Sequence, residues 1–344
     1  MYLTNDTVHA FAKARHKEMS FPFLKENGEL LSLASTAQML IEPKALKHYK
    51  DFYSQAISFN ETYPQYYRFT LRICLDLEDL GLTGHVGKKL CNYVRENHFL
   101  DYDTSDSRRL ETLSLLRRRL KPNTVEKEHR LRLLDNIDRF IAHPHCFSRL
   151  NKPFFYELTH IIFFLTEYGS TSWPLSRSGE DCIKVMGALA FLDNDCDLLA
   201  EVCICYSFLG LECPQLWVRA VDDNLAALEI RYDTDVKSTL NSSTDEYHPY
   251  IVMNWRKALK HEPCFTERFE GRRPNFILSG QETSILSKLS ERVHDVRFNK
   301  SSKLLAQENF YQDLTEEEAK ALEALQLSDK NINELLKDYS YGVL

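Results

Sequence analysis

Glycine and proline are scarce in this chain, 11 of each among 344 residues. A fold with many tight turns spends those residues at every turn, so β-sandwiches and bladed β folds are excluded. Alternation of apolar and polar residues is missing too, and no convincing strand is expected. Basic charge is in deficit: 43 Lys and Arg stand against 50 Asp and Glu, a formal net charge of −7. A general nucleic-acid binder carries the opposite balance. No stretch of about 18 uninterrupted apolar residues occurs, so no membrane span is expected. Met1-Tyr-Leu-Thr-Asn-Asp6 holds no basic region followed by an apolar run, and no signal peptide is expected. The nine cysteines form no Cys-x-x-Cys pair, and several stand in apolar segments where a free thiol packs as a small hydrophobe. Their odd number fits a reducing compartment, and a soluble cytoplasmic protein is expected. There is no Gly-rich phosphate loop, no Gly-x-Ser-x-Gly elbow and no His-Glu-x-x-His.

What remains is helical signal. Prolines stand at the start of apolar periodic runs, where a missing N–H is harmless. Pro43 precedes Ala45–Phe59, Pro64 opens Gln65–Leu80, Pro153 opens a run to Gly169, and Pro249 opens Tyr250–Lys260. A period of 3.6 predicts further helices at Thr7–Glu18, Lys25–Ala37, Val86–Asn97, Arg108–Leu120 and Val125–Ala142. The same period marks Glu180–Leu192, Asp197–Leu209, Ser284–Val296, Thr315–Leu325 and Asp329–Tyr339. Helices of this length with short connections pack as antiparallel neighbours. The fold class is therefore all-α: an array of αα-hairpins, closed into a toroid-like (α/α) barrel or left as a layered helical bundle. Residues 1–300 read as the main domain and 301–344 as an acidic, leucine-rich tail opened by a Thr315–Glu318 capping box. Arg231–Thr244 and Glu270–Asn275 read as loops.

Glu157 and His160 interrupt the most apolar of these helices, three residues apart on one face. So greasy a helix demands a partner for each of them. Glu-x-x-His is also the spacing of carboxylate–imidazole metal ligands. Glu126-Lys-Glu-His129 repeats it in a charged stretch and reads as solvated surface.

Asp193-Asn-Asp-Cys-Asp197 forms a turn before a second apolar helix, and Glu201 lies one turn inside it. One aspartate serves as a cap. Asp195, Asp197 and Glu201 are expected to form an acidic cluster that shares a proton or attracts a cation. His248, just before Pro249, stands at a helix mouth with Asp245 as its expected carboxylate partner and Tyr247, Tyr250 and Trp255 as an aromatic wall. Arg68, Arg72 and Asp76 share one face, either as an intrahelical ladder or as an anion-binding arginine pair. Arg108, Arg109 and Arg117–Arg119 read as a solvated basic face, and His143-Pro-His145-Cys146 as a helix-end turn.

Two sets of segments carry a resemblance. Pro64-Gln-Tyr-Tyr-Arg-Phe69 with Cys74–Gly81, and Glu157-Leu-Thr-His160 with Asp195-Cys-Asp-Leu-Leu-Ala-Glu201, resemble an uncharacterised all-helical bacterial family. That resemblance implies a helical fold and no particular chemistry. The Asp-x-Asp turn is also similar to that of α/α-toroid cyclases. Their Asp-x-Asp-Asp pattern is not met, because Leu198 follows Asp197.

The leading expectation is an enzyme acting on a small molecule in a central cavity. Glu157, His160 and Glu201 would bind a divalent metal, iron or manganese rather than zinc. Asp195, Asp197 and His248 would be catalytic, and Arg68, Arg72, Tyr247, Tyr250 and Trp255 would bind substrate. The second reading is metal-free acid–base catalysis by a cyclase or lyase on an apolar substrate. The third is a helical scaffold whose acidic tail meets a protein partner.

Overall fold

A computed structural model describes residues 1–232, 245–278, 283–298, 313–330, 332–334 and 336. The serine-rich part of the expected 231–244 loop, the start of the tail and the end of the last expected helix lie outside these residues. Helices α1 (Asn5–His9), α2 (Phe21–Thr36), α3 (Pro43–Leu46), α4 (Lys50–Thr62) and α5 (Tyr67–Asp79) open the chain. They are followed by α6 (Val86–Glu96), α7 (Phe99–Tyr102), α8 (Asp106–Arg117), α9 (Thr124–Phe140), α10 (Lys152–Leu165) and α11 (Arg177–Leu192). Then come α12 (Cys196–Leu209), α13 (Gln215–Ala227), α14 (Tyr247–Leu259), α15 (Ile285–Phe298) and α16 (Glu316–Ser328). Side chains of Ser20, Ser105, Asn123, Asn151, Ser176 and Asp195 each accept a first-turn N–H. Those bonds satisfy donors that no helix can pair internally.

Six helices close a ring. α2 packs on α5, α5 on α8, α8 on α10, α10 on α12, α12 on α14, and α14 returns to α2. Behind them stand α6 against α5, α9 against α8, and α11 and α13 against α12. The chain is all-α in this toroid sense. α12 sits inside so many neighbours that nearly every side chain from Cys196 to Phe208 is buried. That explains why its sequence shows no polar stripe.

Two features depart from the sequence reading. Short strands do exist: β1 (Tyr2–Leu3) runs parallel to β2 (Leu40–Ile41), and β3 (Leu228–Tyr232) antiparallel to β4 (Pro274–Leu278). β3 does alternate in exposure, but it follows α13 without a breaker and its partner lies 40-odd residues on, so no hairpin signal marks it. α13 was not expected at all. Pro214 starts it, and it buries Trp217 and Val221, a stripe too thin to show a clear period.

Arg15 fastens the N-terminal segment to the ring. The residue is 3% exposed, and its guanidinium binds Glu26 of α2 at 2.6 and 2.9 Å, the Pro274 carbonyl, and Asp245 just before α14. The tail helix α16 opens with the expected Thr315–Glu318 capping box. Its Leu322 and Leu325 are buried, and Lys288 of α15 binds Glu318 at 2.8 Å. Among the described residues, no helix is long and apolar enough to cross a membrane.

Candidate functional site

Four of the ring helices each carry a pair of polar residues near their N-terminal end. α2 offers Lys25 and Glu29, α5 Arg68 and Arg72, α10 Tyr156 and His160, and α12 Asp197 and Glu201. Each pair is spaced i, i+4, one turn deep on one helix face. α8 adds Glu111 and α14 adds His248. Arg68, Arg72, Glu111, Glu29, Asp197 and His248 keep 14–22% of their side-chain surface, although the ring surrounds them. They therefore face a shared internal space, the lumen.

His248 anchors the chemistry. Its Nδ1 lies 2.6 Å from Asp197 Oδ1, and Tyr156 donates to Asp197 Oδ2 at 2.7 Å. Both oxygens of Asp197 are thus occupied, and the imidazole is held by the ring nitrogen nearer the backbone. Nε2 points into the lumen, 3.8 Å from Glu29 Oε1 and 3.8 Å from Glu201 Oε1. Burial would lower His248, but the Glu29 charge and the Asp197 hydrogen bond raise it to about 10. Burial would raise Asp197, but His248 and Tyr156 hold it below the usual carboxylate range.

Glu201 behaves differently. It is 2% exposed, and burial pushes its carboxyl up against the pull of His248. Thr159 Oγ1 lies 2.5 Å from Glu201 Oε2 and 3.1 Å from the Tyr156 carbonyl. One hydroxyl proton cannot serve both acceptors, so a protonated Glu201 donating to Thr159 satisfies the set. Burial also raises Glu29, and its Oε2 is buried with no partner. His160, on the other side of the ring, is pushed down to about 4 by burial and by the charges of Arg72 and His248. One lumen thus holds a protonated and a neutral imidazole.

Recesses stand at both ends of the ring. At the N-terminal mouth a cavity of about 340 Å³ is lined by Lys152, Asp193, Asp195, Asp197, Glu246 and Pro249. At the other end a bowl of about 470 Å³ takes residues from the C-terminal end of every ring helix, among them Thr36, Asp76, Ser114, Tyr168, Ser207 and Leu259. An aromatic plug separates bowl from lumen: Trp255 stacks on Tyr168 at 6.0 Å and meets Phe163 and Phe208 at 5.6 and 6.1 Å. The turn carrying Tyr168 is left-handed at three successive residues, Glu167, Tyr168 and Gly169 (φ 46°, 55° and 81°). A Cβ at Gly169 would come within 2.6 Å of Phe208, so only glycine fits there.

Several expected site residues are placed elsewhere. Glu157 leaves the lumen: Ser107 donates to it from N at 3.2 Å and from Oγ at 2.8 Å, so it caps α8. Asp195 is the cap of α12 and binds Lys152 at 2.9 Å. Asp245 does not orient His248; it takes the Phe276 N–H and Arg15, and Asp197 fills the expected role. Tyr250 is buried, donates to Glu267 at 2.7 Å and stacks on Phe276. Trp255 belongs to the plug. Tyr247 lies at the Lys25 side of the lumen, with that ammonium 5.5 Å from its ring centre.

The Arg68–Arg72–Asp76 ladder is not intrahelical. Arg68 binds Asp103 and Glu111, Arg72 binds Glu111, and Asp76 binds Ser32 and Arg118. Arg118 and Arg119 are likewise spent on Asp79 rather than on solvent. Glu126 is buried and held by Arg95, not solvated. Among the described residues, no group of three His, Cys, Asp or Glu stands in metal-holding geometry.

Lys25, Glu29 and Tyr156 were missed by sequence reasoning.

A family model described as a domain of unknown function, DUF6902, matches residues 3–341. The chain belongs to this family. The match runs through the whole ring, so the lumen and its closing helix lie inside one family unit. No curated protein and no solved structure matches the chain.

Proposed function

We propose that this protein is an enzyme that transfers protons to and from a small molecule held in the lumen of the ring. The reading is carried by the His248–Asp197 pair, with Nδ1 fixed on the carboxylate and Nε2 free in an enclosed space. A histidine so held is oriented for general acid–base work. Two imidazoles driven to opposite protonation states supply an acid and a base at one pH. His248 is the proton donor, His160 the acceptor, Asp197 and Tyr156 position the donor, and Glu201 is a second protonated group beside it. Isomerisation, elimination and cyclisation need that division of labour. The acidic N-terminal mouth favours approach of a cationic or donor-rich group.

The test uses purified wild type and His248→Gln, each incubated with a small-molecule extract and followed by mass spectrometry. The expected result is a compound consumed by wild type and spared, by roughly 10²–10⁴ in rate, by the variant. Identical profiles from two folded proteins would leave a scaffold whose internal network has no chemistry. Elemental analysis of protein purified without chelator tests the metal reading of Glu157, His160 and Glu201. Stoichiometric iron or manganese would replace proton transfer with metal chemistry.

A further inference from the structure

Three buried polar atoms without a hydrogen-bond partner belong to lumen residues: Arg72 Nε, Glu29 Oε2 and Tyr247 Oη. Buried polar groups are ordinarily paired, so a cluster of exceptions in one chamber has to be explained. The three are not alike. Arg72 Nε–H is a donor only, the Glu29 oxygen of an ionised carboxylate is an acceptor only, and a phenol is both.

Ring order fixes where they stand. With α2, α5, α8, α10, α12 and α14 in sequence around the ring, α5 lies opposite α12. The arginines Arg68 and Arg72 therefore face the carboxyls of Asp197 and Glu201 across the lumen. Arg72 is held in place on three sides. Its Nη2 binds Glu111, and its guanidinium lies 5.7 Å from the ring centres of both Phe164 and Tyr168. A planar donor fixed in this way, with Nε–H unused, suits an anionic oxygen.

The carboxylate side has the complementary gap. His248 Nε2 stands 3.8 Å from Glu29 Oε1 and from Glu201 Oε1, too far for a hydrogen bond to either. The acceptors left open on this side are Glu29 Oε2 and Tyr247 Oη. A primary ammonium carries three N–H donors, and Glu29 Oε2 and Tyr247 Oη accept two of them.

We infer that the lumen takes a zwitterionic small molecule, an amino acid in the broad sense, with its carboxylate at Arg72 and its ammonium at Glu29 Oε2 and Tyr247 Oη. This inference rests on the lumen being the substrate chamber and adds the class of substrate.

The probes are glycine and its longer ω-amino homologues, with the matching alkylamines and alkyl carboxylates as controls. Binding to the full chain is read by calorimetry and by thermal shift. One chain length among the zwitterions is expected to bind, at least about tenfold tighter than either matched control. Arg72→Lys should bring that zwitterion down to the amine's affinity, because lysine keeps the charge but not the fixed Nε–H. Glu29→Gln should bring it down to the carboxylate's affinity. An amine that binds as well as the zwitterion overturns the inference, and so does a panel in which nothing binds. If the panel fails while His248→Gln still abolishes turnover of some compound, the substrate class falls and the acid–base reading stands. If a zwitterion binds but no compound is turned over, the binding site stands and the enzyme reading falls.

Discussion

Glu29 and His248 approach to 3.8 Å where the first ring helix meets the last. The contact holds two groups whose proton affinities are both raised, so neither behaves as its sequence neighbours would suggest.

Glu29→Gln should stabilise the protein at pH 8. The carboxyl is raised in the folded state, so folding loses stability as pH climbs above the unfolded value near 4.5. Glutamine cannot ionise and removes that loss. We expect a gain of roughly 0.5–2 kcal/mol at pH 8 and little change near pH 4, where both side chains are neutral. Denaturant unfolding at the two pH values measures it, and a loss at pH 8 contradicts the assignment.

The two lumen histidines should shape the pH profile from opposite sides. His248 is raised from 6.5 to about 10, so its stabilisation is complete below pH 6.5 and fades as pH rises to 10. His160 is lowered to about 4, so the folded state resists its protonation and stability falls as pH drops from 6.5 to 4. Imidazole NMR should find His248 protonated at pH 8 and His160 neutral at pH 6. His248→Gln should flatten the alkaline decline and leave the acid side in place.

Arg15→Met should cost about 3–5 kcal/mol, the usual penalty for leaving a buried charge without its partner. Glu26 is as buried as Arg15, and its low proton affinity depends on that arginine. Urea unfolding gives the magnitude. Because Arg15 also holds Asp245 before α14, the His248 resonance should shift in the variant as well.

Mild oxidation with a disulfide oxidant should join Cys203 to Cys213. Their sulfurs lie 3.3 Å apart, and Cys213 stands in the short connector before α13, where the backbone can yield. Other buried thiols, Cys91, Cys182 and Cys205, point at backbone carbonyls instead. Peptide mapping should show one linked pair and Cys213→Ser should abolish it. A mixture of single-thiol adducts without the link would refute the pairing.

Much of the fold was legible because helix starts are written locally. Pro153, Asn151 and Asp195 each announce a first turn, and the capping box at Thr315 stands where its residues put it. Strand β3 was illegible because its partner is distant and its alternation covers only five residues. In the candidate site, Asp197 and Glu201 are marked in the sequence as an acidic turn leading into an apolar helix, and His248 by its place before Pro249 at a helix mouth. Glu29 is not, because α2 carries other polar residues and nothing local marks one of them as facing the lumen. Glu157 misled for the same reason in reverse. Its apolar flanks are real, yet a neighbouring helix start needed an acceptor, and Ser107 claimed it.

The meeting of α14 with α2 also sets the order in which the molecule becomes itself. During synthesis, α2 leaves the ribosome among the first elements and α14 among the last of the ring. Until then Glu29 is part of an unclosed arc, open to water along its whole inner face. Contacts between such distant segments form late and slowly, since a long loop must be closed before they reward it. A chain cut short before α14 would therefore expose a wall of carboxyls and aromatic rings with nothing to face. The chamber exists only for finished copies.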